Sequence, residues 1–242
     1  MTIKETLATH HFRSFDGKPE LEAALTAAVV ATLTQALESQ GRASIAVSGG
    51  STPKALFAQL SQAELNWAAI DVTLVDERWV DVDSDQSNQK MLAECLLVNR
   101  AAEARFIGMK STAADVHGGV IDYNRTIAND IKQPFDVVIL GMGPDGHTAS
   151  WFPDASETAA ALDPNGTSAT SATHPRSQPM PRITLSFPCV ASAGQIYLHI
   201  TGEDKKQVLE HGLPGDDSNA SVLPIHQTLA QLNQAVEIYW AA

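Results

Sequence analysis

Residues 135–147 read Phe135-Asp136-Val137-Val138-Ile139-Leu140-Gly141-Met142-Gly143-Pro144-Asp145-Gly146-His147. An unbroken aliphatic run rich in β-branched residues, closed by glycines, describes a strand buried on both faces. Such strands belong to parallel sheets covered by helices, so crossover units are sought outward from here. Upstream, residues 43–47 form a second short apolar run between Gly41 and Gly49-Gly50, and residues 70–75 a third. Helical patterns separate them. Residues 20–40 place Leu21, Leu25, Val29, Leu33 and Leu37 on one face, and a second helix opens near Pro53. Residues 88–98 and 113–132 read as helices and 105–109 as a short strand. Downstream, 183–187, 195–201 and 236–240 read as strands and 203–211 as a helix.

This alternation predicts an α/β chain: a single domain over residues 1–242 with a doubly wound, mostly parallel sheet and helices on both faces, a modified Rossmann-like arrangement. Residues 154–181 are poor in large apolar side chains and rich in Ala, Ser, Thr and Pro. They read as a long surface loop of the same domain, placed near the strand ends as a lid. Ligands of such sheets bind outside the carboxyl ends of the strands, which directs attention to the segments after Val47, Val75 and Leu140.

The chain has 242 residues, 44% hydrophobic and 18% charged, enough for one substantial core. Its 16 Lys and Arg stand against 28 Asp and Glu, a net charge of −12, the wrong sign for tracking nucleic acid. No leader-like apolar segment follows Met1, and no apolar run approaches a membrane span, so a cytoplasmic protein without a membrane partner is expected. Cys95 and Cys189 have no zinc-site spacing around them and read as reduced core thiols. The helices that cover the sheet leave the oligomeric state open.

Three segments carry candidate chemistry. Ser48-Gly49-Gly50-Ser51-Thr52-Pro53 joins a strand to a helix; its glycines admit close approach, and its hydroxyls and free N–H groups suit a phosphate. It matches neither a Walker loop nor a dinucleotide fingerprint. The same segment also reads as a tight turn capped by Ser51 or Thr52. Asp76-Glu77-Arg78 puts three charges at a strand's carboxyl end, where desolvation is costly unless they are paired or used. Arg78 suits a phosphate, or a structural pair with a carboxylate at the sheet rim. In the glycine-rich segment, His147 is the candidate general base and Asp145 the carboxylate that fixes its tautomer. Arg182 and Lys205 are further cations able to reach a phosphate, with a solvated surface position the alternative for Lys205. The other seven histidines, His199 among them, receive no role. No metal-ligand spacing and no serine-nucleophile elbow occurs in the sequence.

Taken together, Ser48–Pro53, Asp76–Arg78, Gly141–Ser150 with Phe152-Pro153, Pro181–Leu185, Thr201-Gly202 with Lys205, and Ser221–Pro224 resemble the 6-phosphogluconolactonase family. That family belongs to a larger group with glucosamine-6-phosphate deaminases. The resemblance implies hydrolysis of 6-phospho-D-glucono-1,5-lactone to 6-phosphogluconate without a cofactor. It implies His147 as base, Asp145 as its orienting partner, and Ser48, Gly49, Gly50, Ser51, Thr52, Asp76, Arg78, Arg182 and Lys205 as the set that holds the phosphorylated sugar lactone. Backbone donors near Gly49-Gly50 or Gly143 would stabilise the oxyanion. The deaminase branch carries a glutamate shortly after the histidine, where this chain has Thr148-Ala149-Ser150-Trp151-Phe152-Pro153. A non-catalytic sugar-phosphate binder is the reading from another class. Trp151 and Asp154 depart from the lactonase pattern, which favours a smaller apolar residue and a glycine there.

Overall fold

The aliphatic run at 137–140 forms the middle strand of a sheet in which every neighbouring pair is parallel. The computed structural model describes residues 2–213 and 223–242. Across this sheet the order is β1 (His11–Phe15), β10 (Glu237–Ala241), β9 (Gln195–Thr201), β6 (Val137–Leu140), β2 (Ala43–Val47), β3 (Ile70–Leu74) and β5 (Arg105–Phe106). A smaller antiparallel sheet holds β4 (Asp76–Arg78), β8 (Arg182–Leu185) and β7 (Thr170–Thr173), with β8 central. Around them lie α1 (Ile3–Leu7), α2 (Lys18–Gln40), α3 (Lys54–Leu60), α4 (Asn88–Cys95), α5 (Val116–Asp130), α6 (Thr158–Ala161), α7 (Phe187–Ala191), α8 (Glu203–His211) and α9 (Pro224–Gln231).

The three apolar runs read from sequence are β2, β3 and β6, and each is buried at every position. That is the signature of strands covered on both faces. After β2 the chain builds β3 and β5 on one side, then returns to β6 on the other. The topological switch therefore falls between β2 and β6, where an open α/β sheet forms its crevice. One hydrophobic core runs through the sheet and helices.

By length and composition α2 could cross a membrane, contrary to the expectation that no segment would. In the fold it lies against the sheet, burying Leu21, Leu25, Val29, Leu33 and Ala36 as one stripe. Gly41, in the left-handed region at φ 70°, ends the helix and donates its N–H to Leu37 O.

Three expectations change. The segment 154–181 is not one long loop: it contains α6 and β7, and β7 pairs with β8 from Thr170↔Leu185 to Thr173↔Arg182. Asp76-Glu77-Arg78, expected at the carboxyl end of a central strand, instead forms a strand of its own, because the chain turns out of the main sheet at Val75 and pairs with β8 as β4. The strand expected at 183–187 ends at Leu185 and serves this second sheet. Of the weak match at 221–224, Ser221 and Val222 lie outside the described residues.

Candidate active site

The loops after β2 and β6, strand β4 and the start of α8 close around a cavity of about 230 Å³ at the carboxyl ends of the strands. Ser48, Gly49, Gly50, Ser51, Thr52, Asp76, Arg78, His147 and Lys205 all line it. Of the residues singled out from sequence, only Asp145 and Arg182 stand back from the wall.

The capped-turn reading of 48–53 does not hold, because α3 begins after Pro53 with no side-chain cap. Among the described residues the N–H groups of Gly49 to Thr52 meet no acceptor of the protein, so a ligand can take them. Gly49 is forced by packing: a Cβ there would lie 2.0 Å from Asn88 Oδ1. Asn88 lines the same cavity and donates through Nδ2 to Asp76 O at 2.9 Å.

Strand alternation sorts the acidic-basic triplet. Asp76 and Arg78 point to the cavity, and Glu77 points away into the first turn of α4. Glu77 accepts from Arg78 N, Asn88 N, Gln89 N and Ser87 Oγ. Burial pushes its carboxyl up against the pull of those bonds. Among the described residues Arg78 forms no pair with a carboxylate; its Nη1 donates to Gln86 O at 2.7 Å. Asp76 accepts from Ser150 Oγ at 2.5 Å.

Arg182 faces Arg78 directly across the β4–β8 ladder. Like charges in opposed positions repel, an arrangement that a bound anion relieves. Arg182 is 4% exposed and, among the described residues, makes only long hydrogen bonds, 3.3 Å to Met180 O and 3.4 Å to Gln178 Oε1. Burial, and then the charge of Arg78, pulls its pKa down. Lys205 is half-buried, and burial lowers its pKa too. Its half-buried place on the cavity wall sets it apart from a solvated surface lysine, and among the described residues it has neither an ion pair nor a hydrogen bond.

His147 Nδ1 lies 2.5 Å from Asp145 Oδ1, which also accepts the backbone N–H of His147 at 3.2 Å. Burial raises the Asp145 carboxyl, but the bond and charge of His147 together hold it below the usual range. An ionised Asp145 fixes the proton on Nδ1 and leaves Nε2 with a lone pair. The imidazole stacks on Phe152, with ring centroids 4.1 Å apart. It also lies so close to Gly143 that a Cβ there would come within 2.1 Å of Cε1. The Gly143 N–H itself donates to His147 O at 2.9 Å, so it holds the turn and is no free oxyanion donor. Trp151 is fully buried and donates to Leu185 O at 3.1 Å; it anchors the second sheet and does not line the cavity.

Two wall residues escape a sequence reading. Asn88 looks like an ordinary first-turn helix residue, and His199 a lone polar residue in an apolar strand. The chemistry available is general-base attack beside a cationic, N–H-rich anion cradle.

Residues 16–240 match the family model described as glucosamine-6-phosphate isomerases/6-phosphogluconolactonase. The chain belongs to that family. Within it, its relatives include the 6-phosphogluconolactonase of Rhizobium meliloti, 41% identical over 94% of this chain and 97% of that one. Another is that of Mesorhizobium japonicum, 39% identical over 97% and 96%. A crystal structure of a 6-phosphogluconolactonase from Shewanella baltica superposes with a TM-score of 0.91 at 41% identity, covering 100% of both chains.

Proposed function

We propose that the chain hydrolyses 6-phospho-D-glucono-1,5-lactone to 6-phospho-D-gluconate, the lactone-opening step of the oxidative pentose phosphate pathway. The observation that carries this reading is the Asp145–His147 pair at a cavity whose cations, Arg78 and Lys205, have no carboxylate partner among the described residues. The substrate phosphate lies against the Ser48–Thr52 loop, Arg78 and Lys205, with Arg182 adding positive potential from behind. Asp76, held by Ser150 Oγ, takes a sugar hydroxyl.

His147 Nε2 removes a proton from water as its oxygen attacks the lactone carbonyl carbon. The tetrahedral intermediate collapses by breaking the bond to the ring oxygen, and the imidazolium returns its proton there. Asp145 stabilises the imidazolium while it exists. Water is the only co-reactant. The free thiols Cys95 and Cys189 fit a cytoplasmic site of action. The deaminase alternative lacks support, since residues 148–153 supply no carboxylate after the histidine.

The test is a continuous assay of freshly generated phosphorylated lactone at neutral pH, corrected for spontaneous hydrolysis, with gluconolactone beside it. The protein is expected to accelerate the phosphorylated lactone with the higher kcat/KM. Equal kcat/KM on the two would remove the phosphate cradle; no acceleration of either would leave a non-catalytic binder.

A further inference from the structure

His199 sits on β9 one alternation beyond Tyr197, on the same face of the strand. The two differ in one respect. The Tyr197 hydroxyl is satisfied by Thr32 Oγ1 and Ala28 O, whereas neither ring nitrogen of His199 has a partner among the described residues. The ring is 3% exposed and lines the cavity beside Lys205. His10, equally buried, uses both nitrogens, on Leu229 O and Val236 N. A buried imidazole with both nitrogens idle is a cost that an apolar residue at this strand position would avoid.

We propose that His199 is a substrate-binding residue whose ring N–H donates to the phosphate group held by Lys205. The assignment rests on the phosphorylated-lactone reading above. Burial, and then the charge of Lys205, lowers the pKa of His199 to about 4, so the imidazole is neutral and keeps one N–H at neutral pH. A phosphate offers acceptors only, and a neutral donor adds a bond without adding a further cation to the repulsion between Arg78, Arg182 and Lys205. In a buried setting a hydrogen bond to a charged acceptor is among the stronger ones. Both ring nitrogens are covered by protein atoms, so the contact requires a side-chain adjustment at the cavity wall when the anion binds.

The experiment compares wild type with His199→Phe and His199→Asn. In His199→Phe the thermal midpoint should stay or rise, because an unpaired polar group leaves the interior. Affinity for inorganic phosphate should fall about tenfold. KM for the phosphorylated lactone should rise by a similar factor with kcat within about twofold, and kcat/KM for gluconolactone should fall much less than that for the phosphorylated lactone. His199→Asn, which restores an N–H, should recover part of the affinity. Unchanged phosphate affinity, or equal losses on both lactones, would overturn the assignment. In wild type itself, the His199 ring N–H resonance should move when inorganic phosphate is added, and a static signal counts against the proposal whatever the variants do. Should wild type bind phosphate through His199 yet open no lactone, the activity reading fails and this one stands.

Discussion

The two ends of the parallel sheet treat charge in opposite ways. At the amino ends of the strands, Asp71 is 2% exposed and takes Arg42 Nη2 at 2.7 Å, Arg105 Nε at 2.8 Å and Lys132 N at 3.0 Å. Nearby, Lys132 pairs with Asp136 at 2.8 Å. Every buried charge there is answered within the fold. At the carboxyl ends, Arg78, Arg182 and Lys205 share a small region without one carboxylate salt bridge among the described residues. Buried or half-buried cations left unpaired cost stability. The paired end is architecture; the unpaired end is arranged for a ligand that brings its own negative charge.

Three substitutions sharpen that contrast. The largest effect belongs to His147→Ala, which should lower kcat by about 10²–10⁴-fold while 6-phosphogluconate binding, followed by calorimetry, stays near wild type. Unchanged kcat would remove His147 from the mechanism. Arg78→Ala should raise KM for the phosphorylated lactone by about tenfold to a hundredfold and leave gluconolactone turnover unaltered. A smaller kcat with unchanged KM would place Arg78 at the reacting carbonyl and not at the phosphate.

Asp71→Ala should do the reverse of both. It should cost about 1–3 kcal/mol in urea unfolding at pH 7, with kcat/KM of the folded variant unchanged. Burial raises the Asp71 carboxyl, but Arg105, the Lys132 N–H and Arg42 together bring it below its usual value. A carboxylate depressed in the folded state contributes fully above its unfolded pKa of about 3.9 and loses that contribution as pH falls through the folded value. The gap between wild type and variant should therefore narrow in acid. A gap that widened there would contradict the pairing.

How much of this was legible in the sequence follows from burial. β2, β3 and β6 announced themselves because strands covered on both faces must be apolar at every position. The second sheet did not, since β4 is three charged residues and β7 reads Thr-Ser-Ala-Thr, neither with an alternating apolar face. β1, mostly exposed at the sheet edge, carried equally little signal. The site was legible where glycines cluster with hydroxyls, as at 48–53, or with titratable side chains, as at 141–147. Asn88 and His199 join it through tertiary placement alone: the Asn88 side chain fills the space that Gly49 leaves, and His199 shows itself only by lacking partners.

The sheet's outer edge sets a condition on synthesis. β1 pairs only with β10, and the side-chain contact between His11 and Glu237 joins residues 226 positions apart. A nascent chain emerging from the ribosome must carry β1, with its exposed Phe12, unpaired until β10 has been made. Of the described strands, β1 leaves the tunnel ahead of the others yet can meet its neighbour only once β10 has emerged.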